Sequence, residues 1–242
     1  NALLKKGTIL EKLGRDEEAI EILNQYLRIK PNDILALTKK GALIGRLGNN
    51  EDALEVFNKA IEINPKNKFA LGGKGLILFF LDRYEESLRA FGEAIKIDPD
   101  DEFVLRNFIE ASFTLAINEL KTGNRGNAIR LMETAYEKGA KLKTDKLAEL
   151  TMTFLKKAAN TGESSVIKAA LDEVIKLKGD EYRELLKPVI LAIEIIETKD
   201  IQKYYGLQVE EREIVADIVK TITRSDELLP EEIKRKEGLK PS

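Results

Sequence analysis

The stretch GALIGRLGNNEDALEVFNKAIEINPKN, residues 41–67, decides the fold. Residues 75–101 read GLILFFLDRYEESLRAFGEAIKIDPDD, and residues 7–33 read GTILEKLGRDEEAIEILNQYLRIKPND. Gly7, Gly41 and Gly75 open the three stretches thirty-four residues apart. Leu3, Leu37, Leu71 and Leu105 keep the same step, as do Leu13, Leu47, Leu81 and Leu115. So do Ile29, Ile63 and Ile97, then Pro31, Pro65 and Pro99, then Asp33, Asn67 and Asp101. A fixed period of this size is the signature of stacked repeats, whose core grows along one axis and whose usual work is to present a surface.

Within one period the residues spell a helical hairpin. Asp33 is placed to cap a first helix by accepting from its free backbone N–H groups. Leu37, Ile44 and Leu47 follow at helical spacing and form an apolar stripe. Gly48, Asn49 and Asn50 stop that helix, with glycine at the left-handed position. Glu51 and Asp52 open the second helix, where acids complement the helix dipole. Ala53, Leu54, Phe57, Ala60 and Ile61 form its buried face, and Pro65 forbids its continuation.

The recurring set Gly41, Ala53, Phe57, Ala60, Pro65 and its repetition as Gly75, Ser87, Phe91, Ala94, Pro99 resemble the tetratricopeptide repeat. The first unit departs from that pattern at Leu23 and Tyr26. The resemblance covers residues 1–100 and implies an all-α, right-handed superhelix of antiparallel helix pairs. A fourth unit starts in register at Leu105 and Leu115 and then slips. Its small pair, due near Lys121 and Ala128, stands seven residues later at Ala128 and Ala135. Seven residues are about two turns, or roughly 10 Å of extra helix. The reading is one lengthened helix over Asp101–Lys121 and a partner over Arg125–Lys138, so that residues 1–139 form the array.

Residues 140–242 are read as an irregular helical region, either degenerate repeats or a separate cap. Helices are expected over Asp145–Ala159, Glu163–Lys178, Asp180–Lys199 (with Pro188 as a kink or as the start of a second segment), Val209–Arg224 and Pro230–Lys236. A short piece is expected at Ile201–Tyr205. The apolar run Val189–Ile196 requires burial.

Composition narrows the chemistry. The 242 residues include no Cys, His or Trp, which removes disulfides, thiolates, histidine bases and ordinary zinc sites. Lys+Arg 40 against Asp+Glu 42 leaves a net charge of -2, so no nucleic-acid footprint is expected, nor a polybasic membrane patch. No apolar run approaches the roughly 20 residues of a spanning helix. A cytoplasmic setting fits, and the 34% charged content leans towards a thermophile's composition. Asn1 falls inside the first turn of a repeat helix, so further chain is expected upstream.

The resemblance also implies where a partner would bind, because in tetratricopeptide proteins the first helix of each hairpin lines the concave face. The implied positions are Asn1, Leu4, Lys5, Thr8, Glu11 and Lys12, then Leu35, Thr38, Lys39, Ala42, Gly45 and Arg46. They continue with Phe69, Gly72, Gly73, Leu76, Phe79 and Phe80, then Phe103, Arg106, Asn107, Glu110, Phe113 and Thr114. The face is basic early and aromatic later, and Gly72 with Gly73 is expected to leave a hollow for a partner's apolar anchor. The candidate peptide-binding set is Lys39, Arg46, Phe69, Gly72, Gly73, Leu76, Phe79, Phe80, Phe103, Arg106, Asn107 and Phe113. Three covers remain open: a protein or peptide partner, the chain's own C-terminal helices, or a second copy in a homodimer. The carboxylate-gripping clamp of some family members is absent in its usual form, with Phe69 and Gly73 at its third-repeat sites. Gly72-Gly73-Lys74-Gly75 lacks a phosphate loop's full signature and preceding strand. Acidic pairs such as Glu85-Glu86 read as solvated helix faces, and Tyr204-Tyr205 as an inter-helix plug. No catalytic constellation, cofactor or metal is expected.

Overall fold

The computed structural model describes residues 2–142, 146–147, 150–151, 153–154, 180–223, 225 and 227–236. Helix is the only extended regular structure among them. The chain divides into two compact units, Asn1–Ser112 and Phe113–Ser242. The first unit holds three hairpins: α1 (Ala2–Lys12) with α2 (Asp16–Ile29), α3 (Ile34–Arg46) with α4 (Asn50–Ile63), and α5 (Lys68–Phe80) with α6 (Tyr84–Ile97). Helix α7 (Glu102–Lys121) begins in that unit.

Local chemistry sets the helix ends at the expected residues. Asp33 Oδ1 accepts from the Ala36 amide at 3.0 Å, and Asn67 Oδ1 from the Ala70 amide at 2.9 Å. Asp101 repeats the cap, accepting from Val104 at 3.2 Å. Tyr26 Oη donates to Asp33 Oδ2 at 2.7 Å, tying the end of α2 to the start of α3. Burial pushes the Asp33 pKa upward, but the Tyr26 and backbone hydrogen bonds outweigh it and hold the carboxyl below its ordinary value. The second helices have no side-chain caps. Two of them instead begin with an Arg–Glu fork, Arg15 to Glu18 and Arg83 to Glu86.

Packing follows the period. A Cβ built on Gly41 would lie 3.0 Å from Phe57 Cζ, and one on Gly75 would lie 2.7 Å from Phe91 Cδ1. These glycines therefore let the two helices of a hairpin close on an aromatic ring. The first hairpin uses Leu23 against Gly7 instead. In the third, Ser87 takes the alanine position and donates to the Gly75 carbonyl at 2.7 Å, which satisfies its buried hydroxyl. Leu13, Leu47, Ile29, Ile63 and Ile97 keep the step but stand exposed at the helix ends.

The turns record where the period changes. Left-handed backbone occurs at Gly14, Gly48, Asp82 and Gly123, in steps of 34, 34 and 41. The last step carries the seven extra residues of α7. Gly48 holds φ +85 with open space around it, so Gly48→Ala is strained by conformation alone. Gly92 lies inside α6, also in open space. We expect Gly48→Ala to cost about 1–2 kcal/mol and Gly92→Ala to gain about 0.5–1 kcal/mol, read by urea denaturation of each variant.

The second unit contains the rest of α7, α8 (Arg125–Gly139), α9 (Asp180–Thr198), a 3-10 turn (Ile201–Gly206), α10 (Val209–Thr223) and α11 (Glu231–Lys236). Helix α9 is a single helix that includes Pro188, and it buries Val189, Ala192, Ile193 and Ile195. It packs against α10 with the 3-10 turn touching both. Tyr204 is fully buried in that turn while Tyr205 stays exposed beside the Arg212 guanidinium. Arg212 pins the assembly, donating to the Tyr204 and Leu207 carbonyls at 3.1 and 3.0 Å and pairing with Glu232. The helix expected over Asp145–Ala159 is described only at scattered helical positions, and Glu163–Lys178 lies outside the described residues. No helix among the described residues is long and apolar enough to cross a membrane.

Candidate functional site

The first helices of successive hairpins form the walls of a groove of about 690 Å³. From the candidate set, Lys39 and Arg46 of α3, Phe69, Gly73, Leu76 and Phe80 of α5, and Phe103 of α7 line it together. Glu11, Leu35, Thr38, Ala42 and Gly45 complete the lining with Phe57 and Ile77. Phe69, Phe80 and Phe103 are 67%, 57% and 52% exposed, a high degree for rings of this size.

The remaining candidates fall elsewhere. Phe113 is 3% exposed and belongs to the second unit, its ring 5.4 Å from Tyr136 and 4.6 Å from Phe154. It is a core residue there, and Phe79, its counterpart thirty-four residues earlier in the regular third hairpin, is outside the lining as well. Phe79 is half-buried and packs edge-on against Phe80 and Tyr84. Burial, and then the hydrogen bond from Tyr84 to Asp82, push the Tyr84 hydroxyl up to about 12. Gly72 is buried where a Cβ would meet Val104 at 3.4 Å, so it serves the approach of α7 to α5. Arg106 and Asn107 are half-buried outside the lining, and the Asn107 amide donates to the Phe103 carbonyl at 2.7 Å.

Gly73 works differently from the expected hollow. A Cβ there would overlap the Phe57 ring, so the missing side chain is replaced by an aromatic floor. Phe57 is therefore both a core residue of the second hairpin and part of the groove. Its double role has a readable signal: Gly41 and Gly73 lie sixteen residues before and after it. Ile77 joins the floor in the same way, its side chain filling the space beside Gly45.

The groove's charges are neutralised within the array. Lys39 Nζ donates to Glu11 Oε2 at 2.7 Å. Arg46 grips Asp16 with two hydrogen bonds, 2.7 and 2.8 Å, and Asp16 is buried. That hydrogen bonding raises the Arg46 pKa further above its ordinary value. Thr38 Oγ1 donates to the Ile34 carbonyl at 2.9 Å. Lys68, at the aromatic end, bonds Asp98 and Asp101 while its ammonium sits 5.1 Å from the Phe69 ring centroid. Each polar side chain of the lining thus has a partner inside the chain. What the groove offers a visitor is apolar surface. No carboxylate group is placed to hold a metal ion among the described residues. The Gly72–Gly75 segment lies inside α5, where backbone N–H groups are committed to the helix.

Comparison with known proteins agrees with this architecture. Two family profiles, each described as tetratricopeptide repeat, match residues 1–33 and 45–102. No curated protein matches by sequence. Among solved structures, MamA 41-end from Desulfovibrio magneticus RS-1 is 17% identical, covers 74% of this chain and 96% of its own, and superposes with a TM-score of 0.52. A MamA RS-1 double mutant is 17% identical over 82% of this chain and 96% of its own, with a TM-score of 0.50. The first TPR of Spaghetti (RPAP3), bound to an HSP90 peptide in that structure, is 23% identical over 48% of this chain and 91% of its own, with a TM-score of 0.47. At these identities the likeness concerns the fold alone. The thirty-four-residue step, the small residues that seat a ring between paired helices, and the two profile matches identify residues 1–33 and 45–102 of this chain as tetratricopeptide repeats.

Proposed function

We propose that this protein is a non-catalytic interaction scaffold whose groove over α3, α5 and α7 takes an apolar segment of a partner protein. One observation carries the reading: Phe69, Phe80 and Phe103 stand more than half exposed around a groove whose charged side chains are already paired within the chain. A phenylalanine buries about 200 Å². Covering the exposed half of each ring contributes roughly 2–3 kcal/mol before ordering costs. Buried aromatic anchors of this kind dominate measured interfaces.

The test is a paired substitution, Phe69→Asp with Phe80→Asp. Both rings are solvent-facing, so the array should keep its helical circular dichroism and melting temperature. Partner recovery in affinity capture from the source cell should fall by about 30-fold or more, as loss of a hot spot implies. Recovery unchanged by the double variant removes the site. If the occupant is a second copy, light scattering will instead show a dimer of the parent that the double variant converts to monomer.

A further inference from the structure

The groove differs from end to end in a way that specifies its occupant. At the α5–α7 end it is aromatic, with Phe69, Phe80 and Phe103. In the middle, on α3, its cations are cancelled by Glu11 and Asp16. Beyond the lining, on α1, the two residues in the same repeat phase as Lys39 and Arg46 are Lys5 and Lys12. Both are exposed and unpaired among the described residues. The array therefore spends its own acids on the central cations and leaves those of α1 free.

The walls also say which backbone fits. An extended peptide brings unpaired N–H and C=O groups against the surface, and each needs a partner once water is displaced. The α5–α7 part of the lining, with Phe69, Gly73, Leu76, Phe80 and Phe103, has no polar side chain to supply one. A helix satisfies its backbone internally and presents side chains alone. First helices of adjacent hairpins lie roughly 10 Å apart, so α1 and α5 are about 20 Å apart. At 1.5 Å per residue that distance is about thirteen residues of helix.

Resting on the groove reading above, we infer that the partner segment is an amphipathic helix with bulky apolar anchors at one end and an acidic cluster about thirteen residues away. The anchors lie over α5 and α7, and the acids face Lys5 and Lys12 of α1. The charges fix the direction in which the helix lies, while the apolar contacts supply most of the affinity.

Three fluorescein-labelled helical peptides test this by anisotropy with the full chain. All carry the same Phe/Leu anchors, and the distal turns carry glutamates, glutamines or lysines. The glutamate peptide should bind at least fivefold tighter than the glutamine peptide at low ionic strength. That advantage should vanish at 0.5 M salt, where the Debye length is only a few ångströms. Lys5→Glu with Lys12→Glu should reverse the order in favour of the lysine peptide, with the helical content of the protein unchanged. Equal affinity of the glutamate and glutamine peptides, lost in Phe69→Asp/Phe80→Asp, overturns the charged half and leaves the groove reading standing. No binding of any peptide overturns both.

Discussion

Replacing Phe57 with alanine is expected to destabilise the first unit by about 3–5 kcal/mol, as large-to-small changes at buried aromatic positions do. The ring is 2% exposed and belongs to the cluster of Leu37, Ile44, Ala53, Ala60, Ala70 and Ile77. Its loss would open a cavity beneath the groove and remove the floor on which an anchor rests, so binding should weaken along with stability. The mechanism is separable from generic damage by a second variant. Gly73→Ala puts a methyl group into the Phe57 ring and should cost about 1–3 kcal/mol through overpacking. In a Phe57→Leu background that cost should largely disappear. The repeat before already shows the smaller arrangement, with Leu23 at the Phe57 position and Lys39 at the Gly73 position. Denaturant midpoints of the four proteins give the coupling directly. Additive costs would mean that Gly73 is glycine for a reason other than the ring.

The second large effect compares one repeat position in two hairpins. Leu43 is 1% exposed, packed among Leu10, Ala19, Leu23, Tyr26 and Ala36, whereas Ile9, its counterpart thirty-four residues earlier, is 58% exposed. Leu43→Lys buries an unpaired charge and is expected to cost about 4 kcal/mol or more, at the severe end for single substitutions. Ile9→Lys should stay within about 0.5 kcal/mol. The difference arises because the cover over Leu43 comes from α1 and α2 of the neighbouring hairpin, so apolar side chains at the same repeat position have unequal weight. Thermal melts of the two variants check it, and equal losses would contradict the stacking geometry.

Much of the first unit was legible because its information is local and periodic. The caps at Asp33 and Asn67, the turn at Gly48 and the small–aromatic–small sets each report on neighbours within about half a period. The site was harder, for three physical reasons. Lys39 and Arg46 read as a basic face, since their neutralising partners Glu11 and Asp16 lie 28 and 30 residues upstream and meet them only in the stack. Sequence patterns give each residue one face and so put Phe57 wholly in the core, while a ring flanked by two glycines reaches both. Carrying the repeat phase forward into the lengthened helix puts Phe113 on the groove face. There it meets Tyr136 and Phe154 instead. The small residue that keeps the Gly41 spacing in that helix is Ala116, sixteen before the fully buried Met132 as Gly41 is sixteen before Phe57.

The 41-residue step between Asp82 and Gly123 carries a further consequence. Seven added residues return a helix to nearly its starting azimuth, with a drift of only about 20°. Three would swing every later side chain by roughly 60°, and four by roughly 40° the other way. A wall of this array can thus be raised by about 10 Å without being turned. Height and facing are independent variables here, and a designer who wants a deeper cleft on the same scaffold can adjust the first in units of seven while leaving the second untouched.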